Sequence, residues 1–141
     1  ADNVEAFSLI SELQFLAQTF GQISQLRIRV EVDPAAEEIL TGEEARELVT
    51  ITREALSNCV RHARATRTVV TLRRIGSRVR LSIRDNGSGF DVAHGQAKGI
   101  GFAHMENLVR KIGGRLDIRS TVGRGTRITA DVYLEPILTM V

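Results

Sequence analysis

The chain has 141 residues, 43% hydrophobic and 26% charged, proportions that suit one folded domain with a real core and exclude a disordered segment. Its 19 basic residues face 17 acidic ones for a net charge of +2, and with no Trp and one Tyr neither charge nor an aromatic stacking platform points to nucleic acid. The single cysteine, Cys59, excludes an internal disulfide and a Cys-based zinc site, and no apolar run reaches the ~20 residues of a membrane-spanning helix.

Residues 4–24 carry Val4, Phe7, Leu9, Leu13, Leu16, Phe20 and Ile23 at mostly helical spacing, which predicts an amphipathic helix. Its apolar stripe can pack on this domain or continue a helical bundle that precedes it. "LRIRVEV" then alternates, with Ile28, Val30 and Val32 on one side and Arg27, Arg29 and Glu31 on the other, and Asp33-Pro34 ends this strand. "TGEE" at 41–44 is a capping box, with Thr41 as N-cap and Glu44 three residues on. A helix is expected from there to about Ala63. At ~100° per residue its core arc holds Ala45, Leu48, Val49, Thr52, Ala55, Leu56, Cys59, Val60 and Ala63. Glu54, Asn58, Arg61 and His62 share the opposite arc, which taken alone is a solvated helix face. Cys59 reads as a small buried hydrophobe.

Two strands flank the hairpin signal Gly76-Ser77, the second placing Val79, Leu81 and Ile83 inward and Arg78, Arg80 and Arg84 on a solvated outer face. "DNGSGF" follows at the strand end. It reads equally as a turn or as a site where Asp85 accepts a ligand N–H while Gly87 and Gly89 let backbone approach a flat ring or phosphate. A polar loop with His94 and Lys98, framed by Gly89 and Gly99, has the make-up of a lid. Gly99, Ile100 and Gly101 then open a helix, whose free N–H groups suit phosphate. On that helix His104 is read as surface and Met105 as core. Gly113-Gly114 ends it, and two alternating strands joined by "STVGRG" complete the chain. Strands that bury one face each, covered by amphipathic helices, give a two-layer α/β sandwich.

"REALSNCVRHA", "DNGSGF", "GIGF" and "GRGT", in this order, resemble the GHKL (Bergerat-fold) ATPases over roughly residues 25–135. The wording is most similar to the ATP-binding catalytic domain of bacterial two-component sensor histidine kinases, in the subfamily whose partners are NarL-type response regulators. The resemblance implies a mixed, mostly antiparallel sheet of about five strands covered on one face by helices. It implies ATP and Mg²⁺ as ligands, with Asn58 on Mg²⁺ and Glu54 as base or polariser of the acceptor. Arg61 and His62 would lie near the phosphates, and Asp85 would take the adenine exocyclic N–H. Gly87 and Gly89 would shape that end of the pocket, Gly99, Ile100 and Gly101 would flank the lid, and Thr126 would bond near Asp85 and the adenine. Lys98 is a further candidate for a phosphate contact.

None of His62, His94 and His104 lies in the E-L-H-D-like context of the family's phosphoacceptor. The resemblance therefore implies a catalytic domain over 25–141, with 1–24 as the end of a preceding dimerisation hairpin or linker; the start at Ala1 fits a fragment. The implied partners are that histidine-bearing hairpin and, indirectly, a response regulator, with no nucleic acid and no direct membrane contact. The piece is expected to be cytoplasmic and monomeric. Two alternatives stay open: an anti-sigma-factor-type serine kinase, and a regulatory module that binds nucleotide without reacting.

Overall fold

The computed structural model describes residues 8–92 and 101–134. Helix α1 (Leu9–Ile23) is capped by Ser8, whose side chain accepts from Ser11 N–H at 3.2 Å. Strand β1 (Arg27–Val32) leads into a short helix α2 (Pro34–Ile39) that the sequence reading missed. Asp33-Pro34 does end the strand, but Asp33 then caps the next helix by accepting from Ala35 N–H at 3.0 Å, and proline stands at its first position, where its missing N–H costs nothing. Glu37 of α2 reaches across to accept from Leu9 N–H at 2.8 Å, so one helix caps the other.

Helix α3 (Gly42–Asn58) starts at the predicted capping box, with both reciprocal bonds present. It does not run on to Ala63 as a regular helix. At Cys59–Ala63 the chain widens into a π turn, closed by Arg64 in the left-handed region (φ 52°). The hairpin of β2 (Arg67–Ile75) and β3 (Arg78–Asp85) follows, then α4 (Phe102–Lys111), β4 (Gly114–Thr121) and β5 (Gly125–Tyr133).

The sheet order is β1-β2-β3-β5-β4, with β1 parallel to β2 and every other pair antiparallel, so the sheet is mixed as expected. One face carries the core. Val70, Leu72, Val79, Leu81, Ile83, Ile128, Ala130 and Val132 meet the apolar sides of α1, α3 and α4. Ile51 is fully buried although it lies off the predicted arc of α3, because α1 and α4 both pack on α3 and widen its covered side. Of the two uses open to the first helix's stripe, packing on this domain is the one seen: Leu9, Leu13 and Leu16 belong to the same core cluster as Leu48 and Leu72.

The other face of the sheet is uncovered and rich in arginine. Strand alternation puts Arg27 and Arg29 of β1, Arg67 and Arg73 of β2, Arg78, Arg80 and Arg84 of β3, Arg127 of β5, and Arg115 and Arg119 of β4 on it. Its acids are Glu31, Asp117 and Asp131. Arg80 is not simply solvated, since it donates to both oxygens of the nearly buried Asp131, at 2.8 and 3.0 Å.

Leu13 is only 1% exposed, so Leu13→Ala is expected to cost ~2–5 kcal/mol. Urea unfolding followed by far-UV circular dichroism should show this as a lower midpoint of one transition. A separate early transition would mean that α1 is not part of the cooperative unit.

Candidate functional site

The end of α3 and the end of β3 are forced together. Ala63 carbonyl, in the π turn, accepts from Ser88 N–H at 2.7 Å, and a methyl group on Gly87 would stand 2.5 Å from that oxygen. Gly87 therefore admits a helix end at close range. Asn86 clamps the same junction, accepting from Thr66 and Arg67 N–H at 2.9 Å each and donating to Thr66 Oγ1 at 2.9 Å. At the far side Gly125 (φ 90°) brings the start of β5 against Asp85, where a Cβ would lie 2.1 Å from the Asp85 carbonyl oxygen. "DNGSGF" is thus less a free turn than a seam between three elements.

The seam opens into a cleft of about 300 Å³ whose lining includes Asn58, His62, Asp85, Phe90, Phe102 and Thr126. Ala55, Ala63, Ser88, Gly89 and Ile128 also line it. Of the residues named from sequence, the fold brings Asn58, His62, Asp85, Gly89 and Thr126 to this one space. Arg61 is exposed and stays outside the lining. Glu54 sits one turn up α3, beside the start of α4: a Cβ on Gly101 would lie 2.9 Å from its Oε1, and His104 Nδ1 is 3.6 Å from its Oε2. His104, read from sequence as mere surface, therefore faces Glu54. His94, Lys98, Gly99 and Ile100, with most of the lid loop, lie outside the described residues.

Asp85 is the electrostatic centre of the cleft. Its Oδ1 accepts from Gly87 N–H at 2.8 Å and its Oδ2 is 3.5 Å from the Cys59 thiol, which receives a hydrogen bond from buried Thr68 at 3.5 Å. Burial raises the Asp85 pKa above the ordinary carboxylate range, against the lowering effects of the Gly87 N–H, the Cys59 thiol and the Thr126 backbone. Burial, then the charge of Asp85, push the Cys59 pKa up to about 12. Cys59 is therefore more than a small hydrophobe: it remains a protonated donor to the carboxylate.

Thr126 lines the cleft beside Asp85, and its hydroxyl is tied to Ser120. Ser120 Oγ accepts from Phe90 N–H at 2.8 Å and lies 3.0 Å from the Gly125 carbonyl, to which it gives its one hydrogen. Thr126 must then donate to Ser120, 2.8 Å away, and its hydroxyl oxygen is left as an acceptor. Phe90 and Phe102, with centroids 5.4 Å apart and planes at 36°, form an apolar wall that periodicity alone could not single out. The signal for Phe90 was its place in "DNGSGF".

A model of the family described as histidine kinase-, DNA gyrase B-, and HSP90-like ATPases matches residues 43–136. The chain belongs to this ATPase family. The sensor histidine kinase LiaS of Bacillus subtilis (strain 168) is 37% identical over 89 residues, covering 63% of this chain and 25% of LiaS. The sensor protein VraS of Staphylococcus aureus (strain COL) is 37% identical over 81 residues, 57% of this chain and 23% of VraS. The chain thus spans about a quarter of these relatives. Among solved structures, the histidine kinase domain of the Erythrobacter litoralis blue-light activated histidine kinase superposes with a TM-score of 0.76 at 21% identity, covering 95% of this chain and 66% of that one. The catalytic domain of histidine kinase ThkA in a nucleotide-free form gives 0.72 at 14% identity, covering 93% and 97%. These likenesses establish that the ATPase's fold is the one seen in histidine kinase catalytic domains.

Two outcomes follow from the seam. Gly87→Ala is expected to lower stability by ~1–3 kcal/mol, since either Ala63 or the loop must move; an unchanged denaturant midpoint would show the approach is not required. Because folding raises the Asp85 pKa, this carboxyl contributes stability below its unfolded pKa, and the contribution is lost as pH rises through the folded value. Asp85→Asn should therefore melt higher than the wild type near neutral pH, with the gap closing in acid. A gap that stays constant with pH in differential scanning calorimetry would contradict the assignment.

Proposed function

We propose that this chain is the ATP-binding catalytic unit of a sensor histidine kinase. In this reading it donates the ATP γ-phosphoryl to a histidine on a helical hairpin of the parent protein, for relay to a response regulator. The observation that carries the proposal is the half-buried Asp85 carboxylate at one end of a mostly apolar cleft that has Asn58 at its lining. A carboxylate in such a wall is stabilised by meeting a donor, and an adenine offers an exocyclic N–H to it and a flat ring to the Phe90 and Phe102 side. The similarity to LiaS, a sensor histidine kinase, and to VraS, a sensor protein, supports the same class.

The cleft's residues fit Mg·ATP. Asn58 offers a side-chain carbonyl oxygen, a hard ligand of the kind Mg²⁺ takes. Among the described residues no cluster of three or more His, Cys, Asp or Glu could hold a metal alone, so the remaining ligands would be phosphate oxygens and water. Bound nucleotide supplies the phosphoryl group, and such transfer needs positioning and neutralised oxygens more than covalent help. Glu54, held between Gly101 and His104 at the mouth of α4, is placed to orient or deprotonate an incoming acceptor imidazole. His62 lines the cleft on the Asn58 side and is assigned to the phosphate end. Lys98, Gly99 and Ile100 are assigned to the lid on the motif wording alone, as is the subfamily of NarL-type regulators.

Residues 1–24 are proposed to connect the domain to the hairpin, with α1 docked on the catalytic core. Among the described residues no helix is long and apolar enough to cross a membrane.

Calorimetry with a non-hydrolysable ATP analogue provides the test. Wild type should bind in a Mg²⁺-dependent manner. Asp85→Asn should lose binding by about tenfold or more, since a charge-assisted hydrogen bond is worth ~1.5–3 kcal/mol. Asn58→Ala should keep Mg²⁺-independent binding and lose the Mg²⁺-dependent gain and phosphotransfer to a supplied hairpin. Phosphotransfer by Asn58→Ala at the wild-type rate would sink the assignment.

A further inference from the structure

Across β3, β5 and β4 one row of outward positions is all arginine: Arg84 stands opposite Arg127, and Arg127 opposite Arg119. Like charges directly opposed across strands destabilise a sheet. Elsewhere on this face Arg80 is paired with Asp131 and Arg29 with Glu31, while Arg27 stands opposite Arg67 at the far edge of the sheet. In the row, only Arg119 has an acidic partner among the described residues, an exposed pair with Asp117 at 3.0 Å. Arg124, on the turn between β4 and β5, adds a fourth guanidinium at the same end.

These four arginines surround a hollow of about 200 Å³. Asp85 and Thr126 also border it, but alternation turns their side chains to the helical layer, where Asp85 is bonded to Gly87 and Thr126 to Ser120. The hollow is thus cationic, and it lies back to back with the nucleotide cleft across the same two strands.

We propose that this arginine row binds a multivalent phosphate group. The hollow is small beside the ~300–1,000 Å³ of a drug-sized ligand site, which favours a compact anion over a nucleotide or a folded partner. Neighbouring strands run ~4.8 Å apart, so one anion can meet guanidinium forks from two or three of them. A phosphate monoester carries about −1.5 to −2 at neutral pH and three acceptor oxygens, a better match to unpaired arginines than one carboxylate. The phosphate can belong to a soluble oligophosphate or to a lipid headgroup.

The probe is inorganic tripolyphosphate, titrated calorimetrically into the full chain with the nucleotide cleft filled by a non-hydrolysable ATP analogue. Saturable binding is expected, weakened about tenfold or more in the Arg84→Gln/Arg127→Gln double variant, with analogue binding unchanged. Thermal melts give a second readout. Without anion the double variant should melt above wild type, because repulsion is relieved, and saturating tripolyphosphate should raise the wild type past it. Co-sedimentation with vesicles containing phosphatidic acid, whose headgroup is a phosphate monoester, separates the sources. Arginine-dependent co-sedimentation gives the site to a lipid phosphate, and tripolyphosphate binding without it gives the site to a soluble one. No wild-type binding to either probe, equal binding by the double variant, or tighter arginine-dependent binding of poly-glutamate would each overturn the proposal. Failure of the analogue to bind would refute the nucleotide reading alone and leave the arginine result intact.

Discussion

The junction between the end of α3 and the end of β3 governs the rest of the molecule. One backbone hydrogen bond, from Ser88 to Ala63, and one missing methyl group, at Gly87, let a helix terminus close onto a strand terminus. Asn58 and His62 on the helix side and Asp85 on the strand side share a cleft because of that closure. The core supports it from below: α3 is held to the sheet by Leu48, Ala55 and Leu56, all at or near zero exposure, so the helix has one seating. The π turn supplies the local adjustment. It widens the last turn of the helix, and Arg64 then turns the chain into β2. A wide turn at a functional edge is a recurrent use of this rare geometry.

What was legible in the sequence was what has a short-range cause. The capping box at Thr41 and Glu44, the alternation in β3 and β5 and the hairpin at Gly76 are each fixed by residues within one turn or one strand. The pieces that escaped have long-range causes. Helix α2 has only six residues, too few to show a period, and its Glu37 finds its role on α1, 28 residues earlier. Ile51 is buried by two other helices, which no single-helix wheel reveals. Asn86 looks like turn chemistry but serves as a clamp on Thr66 and Arg67, 20 and 19 positions away.

The site divides the same way. Asp85, Asn58 and Thr126, which share the cleft, could be named as candidates because ordered motifs point to them. The surroundings that give them their properties could not, because they come from packing. Burial of Asp85 beside Cys59, the Ser120 link between Phe90 and Thr126, and the approach of His104 to Glu54 all join residues distant in sequence. The outer face offers a parallel lesson. Arg78, Arg80 and Arg84 read as an ordinary solvated strand, and only the register of β3, β5 and β4 reveals which arginines are answered by an acid and which stand in line with one another.

Cys59 and Asp85 share one patch of low polarity, and that sharing shapes their chemistry. The thiol, with its pKa pushed up to about 12, keeps its proton and is buried from oxidants. The carboxyl beside it has its proton equilibrium moved upward by burial. Burial thus keeps the chain's one sulfhydryl as a protonated, enclosed thiol, and the same burial makes the neighbouring carboxyl hold its proton more tightly.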